Sequence, residues 1–185
     1  MRGEINRAEQ TRPNLSNSAG QKAENADWVI APDAVAWIAG RGDAEIQNSK
    51  VPLQSLKAPG TAYRGDPVLG NDPQVDQLDN SYTGKDTGVA AHINSGIPNK
   101  AFYETAIQMG TEKAGEIWYQ TLRKLKPSST FADAAAVMIE VTVQYGAASE
   151  EAVRKAWEKV GVLERPDKTA IEPKEPVAAG AAKGN

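Results

Sequence analysis

Between Phe131 and Tyr145 the chain places Ala134, Ala135, Val137, Met138, Ile139, Val141 and Val143 around a helix with only a thin polar edge. A helix apolar on nearly every side is stable only when other elements surround it. The neighbouring sequence supplies them. Pro98, favourable in a first helical turn, opens a helix expected to run to Met109 and stop at Gly110. Thr111 is expected to cap a second, in which Ala114, Ile117, Trp118, Leu122 and Leu125 recur at steps of three and four before Pro127. Ser129 or Thr130 opens the apolar helix and Gly146 closes it. Ser149-Glu150-Glu151 starts the last helix, with Ala152, Val153, Ala156, Trp157 and Val160 on one face and Gly161 as its C-terminal cap. The fold class is therefore mainly α, a compact bundle in which Trp118 and Trp157 each bury about 150–250 Å².

The rest of the chain reads differently. Residues 1–26 are polar, with no sustained helical stripe, and are expected to form a poorly ordered arm. The apolar stretch from Asp27-Trp28-Val29-Ile30 to Gly40 begins a folded domain expected over 27–163. Its N-terminal half is loop-rich, because Pro52, Pro59, Pro67 and Pro73, with Gly60, Gly65, Gly70, Gly84 and Gly88, disfavour long helices. Residues 164–185 lack apolar periodicity and are expected to be a disordered tail.

Composition removes several functions. Lys plus Arg is 21 against 24 Asp plus Glu, a formal charge of −3, which gives no broad positive field for nucleic acid. No run approaches the ~20 apolar residues of a membrane span, and Met1-Arg2-Gly3-Glu4-Ile5-Asn6 lacks the apolar stretch of a signal peptide. With no Cys and a single His, the chain forms neither a disulfide nor a thiolate zinc site, and cannot supply the two imidazoles of common catalytic zinc sites.

That single imidazole, His92, lies between a glycine-containing loop and the helix beginning at Pro98. Its local sequence permits two readings: a ring that satisfies a nearby backbone carbonyl, or a donor to a developing anion oriented by a carboxylate such as Asp86.

The surrounding residues His92-Ile93-Asn94-Ser95-Gly96-Ile97-Pro98-Asn99-Lys100-Ala101-Phe102-Tyr103 resemble the His-Ile-Asn-Ser-Gly-Ile segment of thermolysin-like neutral metallopeptidases, the M4 family. The similarity continues in order through Asp27-Trp28-Val29-Ile30, the segment from Leu53 to Tyr63, Ala114-Gly115-Glu116-Ile117-Trp118-Tyr119, Thr130-Phe131-Ala132-Asp133 and the segment from Ala156 to Val162. It covers roughly residues 27 to 163, the family's helical C-terminal domain. The resemblance implies an active site in a cleft between that domain and a β-rich N-terminal one. There a His-Glu-x-x-His helix supplies two zinc ligands and the general base, and a downstream Glu is the third ligand.

Position by position, the resemblance is uneven. No His-Glu-x-x-His occurs in this sequence, so zinc chemistry is not expected from this chain alone. Glu4 is a remote candidate for the third ligand, though the following Arg7 and Ala8 stand where Ser and Asp belong. His92 matches the family's oxyanion-stabilising histidine. The family's orienting Asp lies five residues before it, whereas Asp86 lies six before. The family's substrate-contacting Arg is replaced by Gln54, between Leu53 and Ser55, and a neutral amide does not reproduce a bidentate cationic fork. Leu53 and Asn94 remain candidates for lining the substrate pocket. Calcium is implied by the family, but Val51-Pro52 occupies the place of an expected calcium carboxylate.

Two functions are consistent with this pattern. One is a noncatalytic form that binds a peptide or protein, or associates with itself, because a helical half presented alone exposes an apolar wall. The other is half of a split metallopeptidase, in which His92 acts beside a separately encoded zinc-bearing domain. Family members are often secreted, but the sequence fixes no compartment for this chain.

Overall fold

The structure is a computed structural model and describes residues 22–31, 51–67 and 69–164. Glu4, the rest of the expected N-terminal arm and the expected tail from 165 onward lie outside the described residues. Among the described residues, five α-helices follow a two-stranded antiparallel ribbon: β1 (Val29–Ile30), β2 (Gln54–Ser55), α1 (Thr87–Asn94), α2 (Gly96–Met109), α3 (Thr111–Leu122), α4 (Phe131–Thr142) and α5 (Ala147–Lys159). Val29 pairs with Ser55 and Ile30 with Gln54.

The last four helices are those the apolar periodicity predicts, and their ends follow local chemistry. At the start of α4, the Thr130 hydroxyl accepts from the Asp133 N–H at 3.2 Å while the Asp133 carboxylate accepts from the Thr130 N–H at 2.8 Å. This reciprocal box satisfies two N–H groups that have no partner inside the helix. At the other end of the bundle, the Gly161 N–H donates to the Glu158 carbonyl and the Val162 N–H to the Trp157 carbonyl. With Gly161 at φ +76°, these bonds form a Schellman cap that turns Val162 back onto the core.

Several boundaries depart from the sequence expectation, beginning with α2, which starts at Gly96 rather than Pro98, and α3, which ends at Leu122, before Leu125. Thr111 is the first residue of α3, and Gly110, at φ +90°, occupies the capping position. Gly146, at φ +88°, similarly precedes α5, which starts at Ala147 rather than Ser149. The apolar helix ends at Thr142 and tightens into a 3-10 turn, Val143–Tyr145, which leaves Val143 73% exposed. Enclosure therefore holds for Ala134, Ala135, Met138, Val141 and Thr142 but not for the 3-10 turn that follows.

The core lies among α2 to α5. Ile97, Ile117, Met138, Val153, Trp157 and Val160 are buried there, and the Trp118 and Trp157 rings stack 5.9 Å apart. A second cluster fastens the ribbon to α2. Trp28 packs edge-on against Tyr103 at 5.1 Å and Phe102 at 6.1 Å, its indole N–H donates to the Ala23 carbonyl at 2.7 Å, and its own carbonyl accepts from the Leu56 N–H at 2.8 Å.

Charge adds one link between helices. The Glu104 carboxylate, 14% exposed, lies 3.0 Å from Lys100 on its own helix and 2.8 Å from Lys159 on α5. Burial pushes the Glu104 pKa up, but hydrogen bonds and charge from Lys159 and Lys100 outweigh it and hold the carboxyl below its ordinary value. A folded-state pKa below the unfolded one gives stability that is present above the unfolded value and lost as pH falls through the folded one. Thermal unfolding followed from about pH 7 to about pH 3 should therefore show a steeper acid loss for the native chain than for Glu104→Gln. Equal slopes would remove this ion cluster from the stability of the bundle.

Candidate functional site

The site is built on α1, a helix the sequence reading placed in a loop. Its eight residues include no buried side chain, so no apolar stripe announces it, and a helix this short is not stable by itself. Two devices hold it. At its start, Asp86 Oδ1 accepts from the Gly88 N–H at 2.9 Å and the Val89 N–H at 3.0 Å, a standard N-cap arrangement.

At its end, four ties bind it to the preceding loop. The Val75 N–H donates to the Ile93 carbonyl. Gln74 Nε2 donates to Ser95 Oγ at 2.8 Å, and Ser95 Oγ donates to the His92 carbonyl at 2.9 Å. The Asn94 amide clamps the Tyr82 backbone, accepting from its N–H at 2.8 Å and donating to its carbonyl at 3.0 Å. Gln74 is itself placed by Asp72, whose buried carboxylate accepts from the N–H groups of Gly60, Ala62 and Gln74 at 2.9 to 3.0 Å.

Gly96 completes the junction. A Cβ there would overlap the Val75 carbonyl oxygen and approach Pro59 Cβ to 2.8 Å. The next residue, Ile97, is fully buried in the core. Asn94, Ser95, Gly96 and Ile97 thus each have an architectural reason to be what they are, while Ile93 contributes its backbone carbonyl. His92 differs from them, because its ring is exposed on the last turn of α1 and makes none of the hydrogen bonds found among the described residues.

This geometry gives several expected site residues other work. The carboxylate bonds of Asp86 go to the start of its own helix, and six residues of α-helix place His92 about 240° around the axis from it. Asp86 is therefore a helix cap in this structure, with no bond to the His92 ring. Asn94 is occupied on both sides of its amide by Tyr82. Gln54 accepts from Asn99 Nδ2 at 3.2 Å, linking β2 to the first turn of α2 where the resemblance expects an arginine facing substrate. Leu53 is half-buried, and its N–H donates to the Ile30 carbonyl at 2.9 Å.

Gln54 meets Asn99 on α2 while His92 stands on the last turn of α1, and no bond joins the two among the described residues. Gln74 and Tyr82 are the supporting residues that sequence reasoning missed. Nothing in a Gln or a Tyr inside a loop signals which distant side chain it will bond.

The donor set does not fit a resident metal. Among the described residues no group of three or more His, Asp or Glu side chains is arranged to hold one. The carboxylates nearest the site, Asp72 and Asp86, are taken up by backbone N–H groups. Zinc and calcium therefore enter only through family resemblance.

Comparison with known proteins gives a consistent result. Residues 14–162 match the family described as thermolysin metallopeptidase, alpha-helical domain. An extracellular metalloprotease from Pectobacterium carotovorum subsp. carotovorum is 37% identical over 154 residues, which span 77% of this chain and 40% of that protein. Bacillolysin from Bacillus amyloliquefaciens is 37% identical over 150 residues, 80% of this chain and 25% of its own length. The solved precursor of protealysin, a metalloproteinase from Serratia proteamaculans, superposes with a TM-score of 0.64 at 38% identity, covering 77% of this chain and 43% of that one. The chain thus spans less than half the length of these relatives.

If the junction is architectural, stability should separate its residues. Gly96→Ala should lower the unfolding free energy by about 1–3 kcal/mol through steric overlap, whereas His92→Ala should change it by less than about 0.5 kcal/mol. Denaturant unfolding of both variants checks this, and a large loss for His92→Ala would mean that the ring has a structural partner.

Proposed function

The chain belongs to the thermolysin metallopeptidase family through its α-helical domain, and on that premise we propose that it is a noncatalytic form. In this reading it uses the surface around His92 to bind a peptide or protein partner. The observation that carries the reading is that the side chains expected to assist His92 are engaged elsewhere. Asp86 caps α1, and Gln54, in place of an arginine, is bonded to Asn99.

A hydrogen-bond donor stabilises a developing oxyanion only when its geometry is fixed before the charge appears. An imidazole without an orienting partner samples several rotamers and loses part of that preorganisation. These departures lie inside the matched domain, so they do not depend on what precedes or follows this sequence. Val89, 41% exposed and three residues before His92 on α1, adds apolar contact area to the polar ring for a bound segment.

The second reading, half of a split peptidase completed by a separate zinc-bearing domain, is favoured by one observation. The His92 ring is intact, exposed and free of the hydrogen-bond network that holds its neighbours. Export belongs to either version of the proposal. The relative from Pectobacterium is named extracellular, and no described helix is long and apolar enough to cross a membrane.

Because His92 is the only histidine, its imidazole proton resonances are unambiguous and report contact directly. For a noncatalytic binder, an unstructured peptide library should shift those resonances. Mixing the chain with a zinc-bearing domain from a relative should yield no cleavage. Cleavage that appears in the mixture and falls about 10²–10³-fold in His92→Ala would establish the split peptidase instead. A monomer whose His92 resonances ignore every peptide and domain would overturn both.

A further inference from the structure

The bundle carries a pocket, partly open to solvent, that shares only Pro98 with the segment from His92 to Tyr103. It has a volume of about 220 Å³ and lies between the first turn of α2, the C-terminal half of α3 and the N-terminal half of α4. Its inner wall includes the stacked rings of Trp118 and Trp157, nearly parallel at 5°, with Met138 beside them. Leu122, 62% exposed, forms part of the rim.

The chemistry of the wall is unusually uniform. No titratable side chain lines the cavity, and the polar side chains that do are already bonded. The Thr121 hydroxyl donates to the Ile117 carbonyl at 2.8 Å, and Ser129 Oγ accepts from the Lys126 N–H at 3.0 Å. The Thr130 hydroxyl is held in the capping box with Asp133. The Trp157 indole N–H points at the Met138 sulfur, 3.4 Å away.

We propose that this cavity is a binding site for a small, uncharged aromatic molecule of one or two fused rings. A charged ligand would lose its hydration there without gaining a partner. A neutral ring loses little and gains offset or edge contacts with the indoles and a sulfur contact with Met138. Size agrees, since about 220 Å³ exceeds the roughly 150 Å³ that suffices for benzene. The site is independent of the peptide-binding reading, because it shares no side chain with the His92 surface.

The test uses the whole chain, with toluene as probe and benzoate as its charged counterpart, followed by tryptophan emission and thermal unfolding. The expected result is one saturable site for toluene, with altered emission and a raised unfolding temperature, and neither effect from benzoate at the same concentration. Ala134→Leu adds bulk to the inner wall. Leu122→Trp covers the rim from an exposed position that the fold tolerates, and each should weaken toluene binding about tenfold or more. Absence of saturable binding by the folded native chain, equal binding of benzoate, or undiminished affinity in folded Leu122→Trp would overturn the proposal. So would a concentration-dependent dimer dispersed by Leu122→Arg, which would assign the cavity to a second copy of the chain.

Discussion

Gly96 has no room for a side chain, and that close approach organises much of the molecule. It lets the Val75 backbone and Pro59 come against the start of α2, so the proline-rich loop lies directly on the helical bundle. Two of the ties at the end of α1 lie against that apposition, where Val75 reaches the Ile93 carbonyl and Gln74 reaches Ser95, and the Asn94 clamp on Tyr82 adds to them. Since α1 buries no side chain of its own, its position depends on these bonds more than on the hydrophobic effect. His92 is thus displayed on a helix that is fixed at both ends and open along its length.

This changes what the motif around His92 signifies. A string such as His-Ile-Asn-Ser-Gly-Ile suggests chemistry, and its retention suggests retained chemistry. The structure divides it into four side-chain positions that build a junction, a backbone carbonyl at Ile93 that joins them, and a histidine ring that faces solvent. A chain without catalysis would use the same contacts of Asn94, Ser95, Gly96 and Ile97 to build the junction, so their presence does not discriminate between an active and an inactive protein. Asp86 and Gln54 are more informative, because neither is required by the junction in the form the family resemblance anticipates, and both are bonded away from the His92 ring.

The legibility of the sequence follows the same division. Helices α2 to α5 could be read because burial imposes a three-and-four residue rhythm, with Gly110, Gly146 and Gly161 marking the ends. Helix α1 could not, because a helix held by caps and loop bonds leaves no apolar rhythm. Strands of two residues, Val29–Ile30 and Gln54–Ser55, are too short to show alternation at all. Within the site, His92, Asp86, Gln54 and Asn94 were all visible as residues, but their bonds were not. The partners of Gln54 and Asn94 lie 45 and 12 residues away, and no local rule links such positions.

The placement of Gln54 shows how far that reach extends. Trp28 and Ala31 have φ of +56° and +49°, a left-handed conformation that costs about 1–3 kcal/mol for a residue other than glycine. The surroundings of Trp28 offset that cost. Its ring is buried edge-on between Phe102 and Tyr103, and its N–H is bonded to Ala23. With Trp28 locked onto α2, β1 has one available course and β2 must pair with it in one register, Ile30 against Gln54. Gln54 then meets Asn99 on the same helix that Trp28 grips from its other end. The side chain at position 54 is therefore set by a tryptophan 26 residues earlier, and an arginine there would occupy a scaffold already rigid enough to aim it. Gln54 in place of the arginine that the resemblance leads one to expect is thus a difference of side-chain chemistry, on a strand whose pairing fixes its position.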